Sequence, residues 1–200
     1  MSKTINIILC SSRENSLGAN YFNYLKQNQA SFVKETGTDL KFIKIGDYHL
    51  PFFYETIPPM NNSNRQLTSN EQAWIDDMRN ASGYIFLTPE YNHSVPAVIK
   101  NALDYLAHEG DSKPAKLVSY SNNSRGGQFG ANELAPILMK LGLIVLPNFA
   151  AIGNVDKNFS EDGSLLTDAP SKEYYIKKSD QIINEIAFYS KLLADHPYHN

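Results

Sequence analysis

Cysteine is nearly absent: Cys10 is the one thiol in 200 residues, which excludes an internal disulfide framework. No apolar run approaches the roughly 18 residues that a membrane-spanning helix needs, and no secretory leader opens the chain. These absences predict a soluble, cytoplasmic protein without membrane partners. An excess of either charge is also missing, with 18 Lys and Arg against 21 Asp and Glu and a net charge of -3. Without a basic stripe or a like-charge tail, nucleic acid is excluded as a partner. No Pro/Gly/Ser-rich linker divides the chain, so residues 1–200 read as a single domain with one well-filled core. Repeats of 20–50 residues are lacking. So are the G-x-S-x-G elbow, the G-x-x-x-x-G-K-[ST] loop and the H-E-x-x-H helix, which removes hydrolase, P-loop and zinc-protease chemistry. His196 and His199 near the end are poor evidence for a metal pair, and no metal is expected.

What is present alternates between strands and helices. Ile5 to Leu9 is a near-continuous apolar run, as expected of a strand buried on both faces of a parallel sheet. After it, Tyr21, Phe22, Leu25 and Phe32 recur at helical intervals up to a stop at Gly37. Leu40 to Ile45 alternates as a second, less buried strand. Gly46 to Ser69 is Pro-rich and polar and reads as a long surface loop near the site or at a subunit contact. Ser69 and Gln72 have capping-box spacing for a helix carrying Trp74, Ile75 and Met78. Further strands are expected at Gly83 to Leu87, Lys116 to Tyr120 and Leu143 to Leu146. Helices are expected through Val98, Ala102 and Tyr105, through Leu134 to Leu141, and over about Ser171 to Ala194. Asn148 to Asp168 reads as irregular. The pattern is that of an α/β, doubly wound parallel sheet of five strands with helices on both faces.

Three polar loops follow the first, third and fourth strands: Ser11 to Ser16, Pro89 to Ser94 and Ser121 to Phe129. Loops at the carboxyl ends of strands converge on one edge of such a sheet, where ligands bind. The first loop opens a helix and offers hydroxyls and the Arg13 cation, which together suit a phosphate. By itself, however, it would be an ordinary helix cap. In the second, Pro89 and Pro96 fix their own φ and restrict the residues before them, so the loop is stiff. A mononucleotide fits this division between a phosphate end and a rigid, amide-rich end. His93 reads as a solvated side chain beside the second loop and Cys10 as a small apolar filler. Tyr91 offers either an aromatic face or plain packing.

The residues also resemble a known family. Pro89-Glu90-Tyr91-Asn92 with Ser94, Pro96, Lys100-Asn101 and Asp104 is similar to the flavin-binding signature of the NAD(P)H-dependent FMN reductases, the flavodoxin-like group that includes quinone, azo-compound and chromate reductases. Ser11-x-Arg13-x-x-Ser16 resembles that family's phosphate loop, and Tyr120 to Gly127 resembles its second flavin-contacting loop. The resemblance runs from about residue 3 to 165, since Asn158 to Gly163 matches a late loop. Cys10 stands where the family commonly has Gly, and Ser121-Asn122-Asn123-Ser124 is unusually polar.

The resemblance implies a flavodoxin-like strand order 2-1-3-4-5, non-covalent FMN, NADPH or NADH as co-substrate, and a homodimer or higher homo-oligomer whose partner helps cover the flavin. It gives the phosphate to Ser11, Arg13 and Ser16. Pro89, Glu90, Tyr91 and Asn92 inherit contacts to the ring and ribityl chain, and Ser121, Gly126 and Gly127 the ring's other edge. The cofactor carries the chemistry, so no catalytic side chain is expected, and hydrogen bonding from the Asn92 region would tune it. Arg125 gains a role toward phosphate or NADPH. The expected function is hydride transfer from NAD(P)H through FMN to quinone, azo or similar soluble acceptors. The alternative is an electron carrier of the same fold without NAD(P)H oxidation. A phospho-receiver is disfavoured because Cys-Ser-Ser, not an acidic pair, follows the first strand.

Overall fold

In the computed structural model, which describes residues 3–197, the first apolar run forms β1 (Thr4–Leu9), buried from Ile5 onward. It pairs in parallel with β2 (Asp39–Lys44) on one side and β3 (Gly83–Pro89) on the other. β2 lies at the sheet edge and alternates buried with exposed residues, while β3 and β4 (Pro114–Tyr120) are buried along their whole length. Continuous apolar runs therefore mark the strands covered on both faces. The order is β2-β1-β3-β4-β5, as expected for the flavodoxin-like arrangement.

The fifth position departs from expectation. Only β5 (Ile144–Val145) pairs with the start of β4, and a sixth strand, β6 (Ala150–Ile152), pairs with its end. Between them Pro147 has no N–H to donate and Asn148 sits at φ 56°, so the ladder breaks and resumes. Lys116 holds the interruption from below, donating to the Pro147 carbonyl at 2.7 Å and pairing with Glu185 at 2.7 Å. The segment 148–168, expected to be irregular, thus contains a strand and a short helix, α6 (Val155–Asn158). Three-residue runs are too short to show periodicity.

One face of the sheet is covered by α1 (Leu17–Gln27), α2 (Gln29–Thr36) and α7 (Lys172–Asp195) around Tyr21, Leu25, Phe159 and Ile183. The other is covered by α3 (Ser69–Asn80), α4 (Ala97–Asp104) and α5 (Gln128–Lys140) around Trp74, Phe86, Ile99 and Leu134. The single helix expected up to Gly37 is two. The Asn28 side-chain amide donates to the Tyr24 carbonyl at 2.8 Å and competes with the helical ladder there. Gly37 caps the second helix at φ 62°. In α7, Tyr175, Ile182 and Ile186 face inward as their spacing predicted, with Tyr189 only flanking the core.

The α3 cap is shifted by one residue. Thr68, not Ser69, is the N-cap, and Glu71 rather than Gln72 closes the box, its carboxylate accepting from the Thr68 N–H at 2.7 Å. The pairing is decided by burial: Glu71 is buried, whereas Gln72 turns to Asp76. The long loop carries two 3-10 turns, Ile45–Tyr48 and Pro59–Asn61, and is tied to α4. Asn101 accepts from the Phe53 N–H and donates to the Pro51 carbonyl, both at 2.8 Å. Arg65 forks onto Glu55 and also donates to the Tyr105 carbonyl at 2.8 Å.

The cap assignment is checked by urea unfolding. Thr68→Ala is expected to cost about 1 kcal/mol, and Ser69→Ala less than about 0.5 kcal/mol; equal losses would return the cap to Ser69.

Candidate functional site

The parallel register sets Pro89 opposite Tyr120 at the carboxyl ends of β3 and β4. The loops that leave those strands therefore start side by side, with the loop after β1 adjoining them. Two clefts open here. One, of about 270 Å³, is lined by Arg13, Asn15, Ser16, Leu17 and Tyr91 among others. The other, of about 510 Å³, lies between His93, Arg125, Gly127 and Phe129. Glu90, Ser121 and Asn122 line both, so the two form one continuous trough.

At the narrow end, α1 begins at Leu17 with no side chain capping it. Ser16, the N-cap residue, turns its hydroxyl to the Tyr120 hydroxyl at 2.9 Å instead. The Ala19 N–H donates to the Ser16 carbonyl at 2.8 Å, which leaves the Leu17 and Gly18 N–H groups and the positive end of the helix dipole for an anion. Ser11 lies beneath the loop: its hydroxyl accepts from the Arg13 N–H at 3.3 Å and stands 3.4 Å from the Tyr91 hydroxyl. It shapes the turn rather than lining the cleft. The Arg13 guanidinium sits 5.9 Å from the centre of the Tyr91 ring, which keeps the cation over the trough. Asn15 also lines this end; its position just before the helix N-cap was the signal for it.

The second loop owes its stiffness to more than its prolines. Tyr91 and Ser94 exchange two backbone hydrogen bonds, of 2.9 and 3.0 Å. The residues between them, Asn92 and His93, stand at φ 52° and 61°, the left-handed pair of a tight hairpin turn. Asn92 is exposed at the tip of that turn, beside the two clefts rather than in their walls. Pro89 and Tyr91 wall the narrow cleft. Glu90 points its carboxylate at the start of α5, accepting from the Phe129 N–H at 3.2 Å, with His93 Nδ1 3.5 Å away on its other oxygen. The His93 ring in turn lies 4.8 Å from the Phe129 ring, and the two form the rim of the larger cleft.

The third loop is wound around Asn123. Its side-chain oxygen accepts from the Ser121 hydroxyl and the Arg125 N–H, and its carbonyl from the Gly126 N–H. Gly126 and Gly127 follow at φ 66° and 68°, a conformation that disfavours any side chain. A Cβ on Gly127 would stand 2.7 Å from the Tyr120 carbonyl oxygen. Gly130, which sequence reasoning passed over, is as constrained: a Cβ there would meet the Pro89 carbonyl oxygen at 2.5 Å. Only glycine lets α5 lie against the second loop.

Burial pushes the Tyr120 hydroxyl well above its ordinary pKa, so it remains a neutral partner for Ser16. Burial also pushes up the Cys10 thiol, in keeping with an apolar filler. Lys100 and Asp104 pair with each other at 2.6 Å on α4, and Asn101 serves the long loop; these members of the motif stabilise the scaffold behind the trough. Among the described residues no helix is long and apolar enough to cross a membrane, and no group of three or more His, Cys, Asp or Glu is placed to hold a metal ion. His199 lies outside the described residues.

The chain can now be compared with known proteins. A family model described as NADPH-dependent FMN reductase matches residues 4–157. An NAD(P)H-dependent FMN reductase of Schizosaccharomyces pombe is 33% identical over 119 residues, which span 60% of this chain and 58% of that protein. A quinone reductase of Pseudomonas putida is 29% identical over 161 residues, spanning 75% of this chain and 80% of the relative. The flavoenzyme NAD(P)H:(acceptor) oxidoreductase of Paracoccus denitrificans superposes with a TM-score of 0.74 at 19% identity, over 95% of this chain and 98% of that one, and so shares the fold. On the family match, which spans the whole sheet and all three loops, this chain belongs to the NADPH-dependent FMN reductases.

Proposed function

We propose that this protein binds FMN without a covalent link and uses it to oxidise NAD(P)H at the expense of a quinone, azo compound or similar soluble acceptor. The observation that carries the reading is the trough itself, with an anion-seeking end and a wider end beside the third loop, joined through Glu90, Ser121 and Asn122. Its narrow end fits a phosphate. Arg13 supplies the charge, Asn15 and Ser16 hydrogen bonds, and α1 its unpaired N–H groups. Pro89, Glu90 and Tyr91 would flank the ribityl chain and ring. Gly126 and Gly127 let the third loop pack closely on β6 and on the end of β4, which would set its backbone against the ring's other edge, and Ser121 joins the two halves. When bound, FMN supplies the hydride-accepting and hydride-donating chemistry. The chain's own part is to orient both reactants and to shelter them from water, with the His93–Phe129 rim bordering the side open to substrate.

A carrier that only docks redox partners is the other reading. Carriers gain rate from strongly charged surfaces, and a net charge of -3 over 200 residues offers little of that. We further propose one folding unit, a cytoplasmic location and a homodimer or higher homo-oligomer. The oligomer is supported by the loop tied to α4, which presents Phe52 at 81%, Tyr54 at 64%, Ile57 at 50% and Met60 at 48% exposure. Clustered apolar exposure of this kind suits a protein partner, and a second copy of the chain would bring the loop toward a neighbouring trough.

Purified protein is expected to be yellow and to oxidise NADPH when a quinone is added. Colourless protein that fails to take up added FMN would overturn the proposal, and flavin binding without NAD(P)H turnover would favour the carrier. Arg13→Ala removes a charged hydrogen-bonding group worth about 1.5–3 kcal/mol. The Kd for FMN should rise by about tenfold to a hundredfold with the urea midpoint unmoved, both read by flavin fluorescence and circular dichroism. Sedimentation velocity should show a dimer or larger species, converted toward monomer by Phe52→Ser with Tyr54→Ser; unaltered sedimentation of the double variant moves the interface elsewhere.

A further inference from the structure

Tyr91 belongs to the second loop, yet both of its functional ends are turned to the first. Its hydroxyl stands 3.4 Å from the Ser11 hydroxyl, which also accepts from the Arg13 N–H at 3.3 Å, and its ring centre lies 5.9 Å from the Arg13 guanidinium carbon. One side chain thus braces Arg13 twice: through Ser11 it steadies the backbone turn, and through its ring it limits where the cation can go. The second effect matters because Arg13 is exposed and, among the described residues, has no carboxylate partner. A guanidinium within about 6 Å of an aromatic centre is attracted to the ring face. An unrestrained arginine side chain samples many rotamers, which it must give up on meeting an anion.

The brace is itself held from behind. The Cys10 N–H donates to the Leu87 carbonyl at 2.9 Å, so the first loop leaves β1 beside the end of β3. The two backbone bonds between Tyr91 and Ser94, with Asn92 and His93 in left-handed conformations, fix the backbone from which the Tyr91 ring projects. Ser11, at 4% exposure, is enclosed beneath the turn. The stiffness of the second loop is therefore passed to the cation of the first. Tyr91 and Arg13 line the narrow cleft together, at the end where Ser16 and the start of α1 offer their donors.

We infer that Tyr91 is a positioning residue for the phosphate: through its ring and hydroxyl it pre-sets Arg13 for the phosphate end of the flavin. It thereby sets how strongly the protein prefers FMN to riboflavin, which has the same ring and ribityl chain without the phosphate. This rests on the FMN reading, and it gives Tyr91 a task apart from flanking the ring. A residue that only flanked the ring or ribityl chain would act equally on both flavins. One that works through Arg13 acts on the phosphorylated flavin alone, and its effect disappears when Arg13 is gone.

FMN and riboflavin, each titrated into the flavin-free full chain and followed by fluorescence quenching, test it. Tyr91→Leu should raise the Kd for FMN about fivefold and leave that for riboflavin within about twofold. Tyr91→Phe, which keeps the ring, should recover most of the FMN affinity. In an Arg13→Ala background Tyr91→Leu should have no further effect on FMN, as expected of two residues that act as one unit. Equal losses for the two flavins, losses that add to that of Arg13→Ala, or unchanged FMN affinity in Tyr91→Leu would each overturn the positioning role. Tyr91→Gln takes the place of the leucine variant if circular dichroism shows that the latter fails to fold. A wild-type chain that binds neither flavin refutes the FMN reading separately. The brace is then read with inorganic phosphate alone, through the Leu17 and Gly18 amide resonances. Tyr91→Leu should weaken phosphate about fivefold, and an unchanged Kd would overturn the role.

Discussion

The register between β3 and β4 is the constraint on which the trough depends. Because the strands are parallel and Pro89 lies opposite Tyr120, two loops leave the sheet at the same level and must share space. They do so through backbone contact: Gly130 brings α5 against the Pro89 carbonyl, and Gly127 lies against the Tyr120 carbonyl. The Glu90 carboxylate then takes up the Phe129 N–H that the start of α5 leaves unpaired. A shift of either strand by one residue would turn its buried side chains to the opposite face. The fully apolar cores on both sides forbid that, so the position of the loops is enforced by packing far from the site.

Two of the helices with Ser or Thr at their N-caps, α1 and α3, use that residue in different ways. At α3 the Thr68–Glu71 box closes the end by pairing the Thr68 and Glu71 N–H groups with side chains of the helix itself. At α1 the Ser16 hydroxyl is turned to Tyr120, and no side chain caps the Leu17 and Gly18 N–H groups. The Tyr120 ring is fixed in the core between β4 and α1 and kept neutral by burial, so it holds Ser16 in place without adding charge near the anion-seeking end. Leaving a helix end unsatisfied costs stability, and the site repays it only when an anion is present.

How much was legible in advance follows from the length and chemistry of each signal. The buried strands were readable because Ile5 to Leu9 and Gly83 to Leu87 are continuous apolar runs, and the order β2-β1-β3-β4-β5 followed once strands and helices alternated. Local chemistry also marked Gly37 as a helix stop and the three loops as the polar ends of strands. The sequence determined which residues could take a left-handed backbone, which segments would be covered on both faces, and which loops would gather at one edge.

Tertiary structure decided the rest, because it depended on partners distant in sequence. Whether Glu71 or Gln72 would close a cap was set by burial against the rest of the fold, and the split in the last strand is held by Lys116, about 30 residues away, donating to the Pro147 carbonyl. Ser11, Asn92 and Glu90 all sit in the motif, yet one shapes a turn, one forms its tip and one caps α5. Gly130 gave no local sign at all. The need for glycine there comes from a strand end about 40 residues earlier. Periodicity reports what a residue must avoid, namely water; which group it meets instead is a property of the assembled chain.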